Sequence, residues 1–184
     1  NFHFHGGHVS PGALSDNVFR SMEPGKSYDV EIAIPSDHPA GTYWYHPHRH
    51  GSADIQLTGG MVGALIVEGD FDDVPEIAAA AERVLIVNEV LFDHRGAIEV
   101  YDTVWPEAVP RFLAVNGQRT PVIRMRPGEV QRWRIVQAAH EDNLNLALAG
   151  HRLNVVAFDG IRRPDMLGLD NLVIAPGQRA DVLV

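Results

Sequence analysis

The sequence predicts an all-β fold built from two related units. Runs typical of strands recur about every 8–12 residues, and Gly, Pro, Asn and Asp bound them, as in a sandwich or barrel. Several runs alternate apolar and polar residues, which is the pattern of a strand with one face in a core. A single helix is predicted, over residues 75–83 (PEIAAAAER), because Pro75 stands at its start.

The predicted strands follow from these runs in chain order. They are residues 28–34, 42–48, 63–67, 83–89, 130–136, 153–158, 172–174 and 180–184. The apolar fraction of 45% is sufficient for a packed core. No apolar run approaches the ~20 residues that span a bilayer, so we expect no membrane span. Pro47 has no N–H group, so we expect the strand at 42–48 to lie at a sheet edge or to contain a bulge there.

The domain organisation is predicted from an acidic turn and an internal repeat. The turn GDFDD at 69–73 precedes the predicted helix, so we expect one unit at 1–72, a linker at 73–82 and a second unit at 83–184. Residues 24–30 (PGKSYDV) match residues 176–182 (PGQRADV) at Pro, Gly, Asp and Val. The first copy starts late and the second stops short. We therefore expect both units to be truncated, as parts of a larger protein.

Charge and cysteine content exclude several classes of function. The net charge of −9 argues against a nucleic-acid partner, which requires a basic face. The absence of cysteine excludes disulfides, a thiolate metal site and a cysteine nucleophile within these residues. We expect Arg132 and Arg134, which alternate along a strand, to form a charged outer face or a contact to a further domain. Asp72, in the acidic turn, is expected in a solvated linker, with calcium binding as the alternative.

Histidines alternate with other residues at two places, in His3–His5 and in His46–His50. Ten histidines in 184 residues predict about 0.5 His-x-His pairs by simple counting, and three are present. Side chains at i and i+2 of a strand share a face about 6.5–7 Å apart, which suits neighbouring ions better than one shared ion. We therefore expect two strands to place four imidazoles along one cleft. Imidazole ligands suit copper, zinc, nickel or iron.

Longer stretches around these histidines resemble one known family. HFHG followed by GTYWYHPHRHG and GGMVGALIVEGD resembles the first domain of multicopper oxidases, the laccase-like enzymes. AVNGQRTPVIRMRPGEVQRWRIVQA and LAGHRLNVVAFDG, followed by LVIAPGQRADVLV, are similar to the second domain of that family. The resemblance covers nearly the whole chain. It implies two cupredoxin-like domains, each a Greek-key β-sandwich or barrel.

The resemblance also implies a ligand set. His3 would bind the type 2 copper of a trinuclear cluster, and His5, His46 and His48 would bind its type 3 pair. Asp16 lies eleven residues after His5, and the family carries an acid near this place that helps deliver protons to reduced oxygen. The alternative for Asp16 is a turn aspartate within SDN. The remaining histidines are expected outside the ligand set, with His50 as a possible fifth group facing the cluster.

Such enzymes couple one-electron oxidation of a substrate at a type 1 copper to four-electron reduction of O2 to water. The residues of the type 1 site, which include a His-Cys-His segment, are not in this sequence. The resemblance thus implies a C-terminal cupredoxin domain as partner, a small phenolic or metal-ion reductant, and a periplasmic or secreted location. We expect the segment alone to be inactive. Two alternatives are a copper-binding or copper-tolerance protein without oxidase turnover, and a structural relative that lost copper, against which the intact histidine pairs argue.

Overall fold

The all-β prediction is confirmed by a computed structural model, which describes residues 1–98 and 111–184. The strands of this part of the chain are β1 (His3–His5), β2 (Gly41–His46), β3 (Gly63–Val67), β4 (Ala81–Leu91), β5 (Arg111–Val115), β6 (Gln131–Gln137), β7 (Leu144–Leu146), β8 (Leu153–Phe158), β9 (Ile161–Leu169), β10 (Leu172–Ile174) and β11 (Arg179–Leu183). Two short helices accompany them, α1 (Ala53–Thr58) and α2 (Pro75–Ala78).

The strands form three sheets. The first is antiparallel and has the order β1-β2-β3. The second has six strands in the order β5-β4-β6-β11-β8-β9, in which β4 and β6 are parallel and the other neighbours are antiparallel. The third pairs β7 with β10. The main core includes residues of the six-stranded sheet and of the β7–β10 pair, where Ile135, Leu153, Val155 and Val182 have no exposed surface.

Strand β6 packs against both halves of the chain, the first half being residues 1–72 and the second half residues 81–184. Both of its faces are buried. Trp133 and Ile135 point into the main core. Residues of a strand alternate in direction, so Arg134 and Val136 point the other way, toward the first half. There Val136 packs with Trp44 of β2. The face of the first sheet that carries Trp44 is therefore covered by the second half.

One predicted element is absent from the structure, and another is shorter than predicted. Residues 28–34 form no strand, although their side chains alternate in burial. An alternating pattern of burial shows that one side of the segment packs against the protein, but a strand also requires a neighbouring strand to pair with. Here the N–H of Glu31 donates instead to the carbonyl of Leu14, which lies outside any strand. The helix predicted at 75–83 ends at Ala78, because β4 begins at Ala81 and pairs with Gln131 of β6. Long-range pairing overrides the helix propensity of the alanine run.

The expectation for Pro47 is also wrong. Strand β2 is the central strand of its sheet and ends at His46, one residue before the proline. A proline directly after a strand removes no ladder hydrogen bond, so it requires neither an edge nor a bulge. The structure adds α1, β5, β7 and β9, which were not predicted from the sequence.

Strands β1–β3 lie within residues 1–72, and β4–β11 lie within residues 81–184, with α2 between them. The division into two domains with a linker at 73–82 stays a prediction. None of the helices in the described part of the chain has the length and apolar composition that a bilayer crossing requires.

Candidate metal centre

Strands β1 and β2 bring three imidazoles together. Their antiparallel register places His3 opposite His46 and His5 opposite Trp44. Side chains of directly opposed residues project from the same face of a sheet, so these four rings share one face. One ring nitrogen from each of His3, His5 and His46 lies within 4.8 Å of the others. A group of this size and composition can hold a metal ion.

His5 and His46 present ring nitrogens to each other. Nδ1 of His5 lies 3.1 Å from Nε2 of His46. Nδ1 of His46 donates to the carbonyl of Pro47 at 2.8 Å, which fixes the proton on that atom. Nε2 of His46 therefore carries a lone pair that faces His5. The Pro47 carbonyl, one residue beyond the end of β2, thus sets the tautomer of His46 that leaves Nε2 for a metal.

His3 is oriented by Asp16. Its Nδ1–H donates to the Asp16 carboxylate, with distances of 3.0 and 3.1 Å to the two oxygens. One of those oxygens also accepts the N–H of Phe4 at 3.0 Å, which ties the carboxylate to β1. Since Nδ1 is occupied, Nε2 is the nitrogen of His3 that is left for a metal. Asp16 therefore lies where the sequence analysis expected an acid, in contact with the histidine group.

His48 lies beside this group and not within it. It follows Pro47, beyond the end of β2, and its N–H donates to the side-chain oxygen of Asn1 at 2.7 Å. Its ring centre is 5.0 Å from that of His3 and 5.8 Å from that of His46. His50 lies beyond His48, with 6.1 Å between the centres of these two rings. Of the four predicted ligands, three form the compact group and the fourth is adjacent.

Burial keeps two of these imidazoles neutral. It lowers the pKa of His5 to about 3, with further lowering by the positive charge of Arg179 and by the neighbouring histidines. Burial also lowers the pKa of His46 to about 4, although the hydrogen bond to Pro47 acts in the opposite direction. Trp44 stacks on both rings, at 4.8 Å from His5 and 4.1 Å from His46. At neutral pH both rings are therefore uncharged, as a metal ligand must be.

A second polar group at the contact between the halves was not predicted. We call it the arginine cluster, and it consists of Asp72, Glu82, Arg132, Arg134 and Asp181. Its two arginines are 2% exposed, so the expected charged outer face is wrong. The alternation of these arginines was visible in the sequence, but no signal showed that the first half covers that face of β6.

The contacts of the arginine cluster are short and numerous. Nη2 of Arg132 lies 2.6 Å from Asp181, and Nη1 of Arg134 lies 3.2 Å from the same oxygen. Asp72 accepts from both guanidinium groups, so it is a partner of buried charges and not part of a solvated linker. Thr42 of β2 donates to Asp181 at 2.6 Å. The cluster thus binds β2 to the six-stranded sheet.

Comparison with known proteins connects this geometry to one family. A family profile described as multicopper oxidase matches residues 82–184, and a second profile with the same description matches residues 1–71. Among curated relatives, the cell division protein FtsP of Edwardsiella tarda is 30% identical over 97% of this chain, and that of Xenorhabdus nematophila is 29% identical over 97%. The chain spans 38% of the length of each.

Solved structures of multicopper oxidases share the fold. The 2F4 variant of McoA from Aquifex aeolicus is 25% identical with a TM-score of 0.83, covering 100% of this chain and 41% of its own. A multicopper oxidase from Campylobacter jejuni, described as a metallo-oxidase, is 27% identical with a TM-score of 0.74. That match covers 99% of this chain and 38% of the other.

Proposed function

Because the chain belongs to the multicopper oxidase family, we propose that it supplies part of a copper cluster at which O2 is reduced to water. In the whole protein, one-electron oxidation of a substrate is coupled to this four-electron reduction. The observation that carries the proposal is the pair formed by His5 and His46, whose ring nitrogens face each other at 3.1 Å. The nearby ring of His3 supports it, since the three together form a compact group of imidazole ligands.

The residues of this group fit copper. Imidazole is a ligand of copper in proteins, and a group of three provides several bonds without adding negative charge. Burial leaves His5 and His46 neutral, as metal ligands must be. In the proposed assignment His3 binds the type 2 copper, while His5, His46 and His48 bind the type 3 pair. Bound copper would supply the one-electron chemistry that the side chains of this chain lack.

Asp16 has two proposed tasks. Its carboxylate accepts the Nδ1–H of His3, which keeps Nε2 of that ring free and directed at the group. The same carboxylate is a proton acceptor next to the place where O2 is reduced, so it can hold a proton for the developing product. The contact with the Phe4 N–H prevents the carboxylate from turning away.

The test is copper binding and O2 consumption by the full-length protein. We expect the wild type to bind copper and to consume O2 with a phenolic or metal-ion reductant. The double variant His5→Gln/His46→Gln should lose bound copper and O2 consumption together. His151→Gln is the matched control, because His151 is exposed and its ring bonds to the nearby carbonyl of Ala149. Wild-type protein that binds no copper would contradict the proposal.

The names of the sequence relatives favour a second candidate. Several curated relatives are described as cell division proteins, so this chain is also a candidate for a role in division that does not depend on turnover. The same experiment separates the candidates. Copper binding without O2 consumption would indicate a copper-binding or copper-tolerance protein, and failure to bind copper would favour the division role.

The partners of the cluster also follow from family membership. We propose a C-terminal cupredoxin domain that completes the ligand set, and a location outside the cytoplasm, in the periplasm or secreted. Limited proteolysis of the full-length protein, with and without copper, would show whether such a domain is protected by the metal. Unchanged cleavage would count against it.

A further inference from the structure

One arginine of the second half reaches the histidine-bearing strands of the first. Arg179, at the start of β11, is 4% exposed. Its Nε donates to the carbonyl of Thr42 on β2 at 3.1 Å, and its Nη1 donates to the carbonyl of Gly177 at 3.1 Å. Asp159 balances its charge at 3.1 Å. The guanidinium thus fixes β2 relative to the turn that precedes β11.

The same guanidinium lies against the residue that follows His5. A Cβ atom added to Gly6 would lie 2.4 Å from Nη2 of Arg179, so the arginine occupies the space that a side chain would fill. Gly6 also has a φ of +81°, which glycine adopts without strain. The end of β1 is therefore shaped around Arg179.

The turn held by Arg179 touches the ring of His5 directly. This turn covers residues 175–178, and a Cβ atom added to Gly177 would lie 2.9 Å from Cε1 of His5. The carbonyl of Gly177 accepts a second hydrogen bond, from Nε1 of Trp44 at 3.3 Å. Trp44 in turn stacks on His5 and on His46. The turn and the indole together leave the His5 ring little freedom to rotate.

We propose that Arg179 is a positioning residue for His5, which orients the ring so that Nδ1 faces Nε2 of His46. It acts through the carbonyl of Gly177 and through Gly6. The proposal rests on the proposed function only in taking His5 as a copper ligand. It makes the geometry of a ligand in the first half depend on a residue of the second half, 174 positions later in the sequence.

The orientation of the His5 ring can be measured without copper. In the copper-free full-length protein, ¹⁵N–¹H correlation spectra of the histidine side chains report the tautomer and environment of each ring. We expect Arg179→Gln and Arg179→Lys both to shift or split the signals of His5. Lysine keeps the charge but not the planar fork of donors, so it should not restore the wild-type spectrum. Arg152→Gln, at an exposed arginine of the second half, is the matched control and should leave His5 unchanged.

Copper binding provides the second measurement. Loss of an outer partner of a metal ligand typically weakens metal binding by about 10–100-fold, and we expect that loss in both Arg179 variants. Folded variants with wild-type His5 signals would overturn the proposal, and so would a lysine variant that matches the wild type. If wild-type protein binds no copper, the proposed function fails, yet the spectra of the copper-free protein still decide the role of Arg179.

A pair of glycine variants keeps the test decisive if the Arg179 variants do not fold. Gly177 and Gly128 occupy the same position in two Pro-Gly turns, with φ of +83° and +80°. Substitution by alanine strains both backbones alike, but only the new methyl group at position 177 meets His5, whereas position 128 has open space. We expect Gly177→Ala to shift the His5 signals and Gly128→Ala to leave them unchanged. Equal behaviour of the two variants would overturn the proposal.

Discussion

Two groups of polar side chains lie at the contact between the halves, and they are built in opposite ways. The arginine cluster contains full charges that are paired with one another, as in the bonds from Arg132 and Arg134 to Asp181. The histidine group, defined as His3, His5 and His46, contains imidazoles that face one another. Strand β2 carries both, since Thr42 bonds to the arginine cluster and His46 belongs to the histidine group.

The difference between the arginine cluster and the histidine group shows how a structural polar group can be distinguished from a binding site. Burial of a charge is unfavourable unless partners compensate it, and in the arginine cluster those partners are carboxylates of the chain itself. In such a cluster the charges are compensated within the chain itself. In the histidine group, the ring nitrogens of His5 and His46 are directed at each other and not at a carboxylate. Neutral imidazoles whose ring nitrogens converge on one point are suited to a cation from outside.

The largest expected effect is the loss of stability when an arginine of the arginine cluster is substituted. Arg134 contacts Asp72, Glu82 and Asp181, so Arg134→Gln leaves buried carboxylate charge with too few partners. Removing one partner of a buried ion pair typically costs about 3–5 kcal/mol, and we expect the free energy of unfolding to fall by that amount. Urea titration measures it.

The control for this prediction is an exposed ion pair. Arg152 lies 3.6 Å from Asp170, and both side chains are mostly exposed. Surface pairs contribute about 0–1 kcal/mol, so Arg152→Gln should have little effect. Equal losses in the two variants would show that the arginine cluster is not a structural connection between the halves.

A smaller effect, on copper affinity, is expected when the Asp16 carboxylate that contacts His3 is substituted. Asp16→Asn preserves the size of the side chain but weakens the acceptor for Nδ1–H of His3, and its amide can favour the wrong tautomer. We expect copper binding to weaken by about 10–100-fold, with the fold intact. Competition with a chelator of known affinity measures this change. Asp29→Asn, at an exposed aspartate, is the control.

Unchanged copper affinity in Asp16→Asn would remove Asp16 from the proposed site. Loss of stability comparable to that of Arg134→Gln would instead make Asp16 a structural residue, and the contrast between the two groups would then disappear. The expected outcome is the combination of weaker copper binding and unchanged unfolding.

Local sequence patterns predicted the elements that depend on local signals. Strands β3, β8 and β10 begin and end where the sequence placed them, because glycine, proline and aspartate mark their ends. The alternation in His3–His5 was sufficient to predict that two imidazoles share a strand face. Helix α1 was missed because a helix of six residues is too short to show a period.

Features that depend on distant residues could not be predicted in the same way. The alternation of Arg132 and Arg134 indicates that they share a face of β6, but the burial of that face depends on β2 and the acidic turn. Asp16 lies in an irregular segment, so the resemblance implied an acid near the cluster, whereas its contact with His3 is visible only in the structure. The role of Gly177 beside His5 depends on the packing of the halves, and no local signal reports that packing.

A further effect is expected in the stability of the copper-free protein at mildly acidic pH. Burial lowers the pKa of His5 to about 3 and that of His46 to about 4, while histidines of the unfolded chain titrate near 6.5. The unfolded state therefore takes up protons first as the pH falls. The stabilisation is complete above about pH 6.5 and is lost progressively toward the folded pKa values. The positive charge of Arg179 lowers the pKa of His5 further, and so do His3 and His48 when they are protonated, because each disfavours another positive charge nearby.

The arginine cluster should not contribute to this pH dependence. Although burial opposes ionisation of Asp72, hydrogen bonds from Arg132 and from the Gly69 N–H hold its pKa below the usual value. Between about pH 6.5 and about pH 5 ordinary carboxylates stay ionised, so urea unfolding in this window isolates the histidines. We expect the wild type to lose stability there and the variant His5→Gln/His46→Gln to lose less. A slope that persists in the double histidine variant would place the titrating groups elsewhere in the protein.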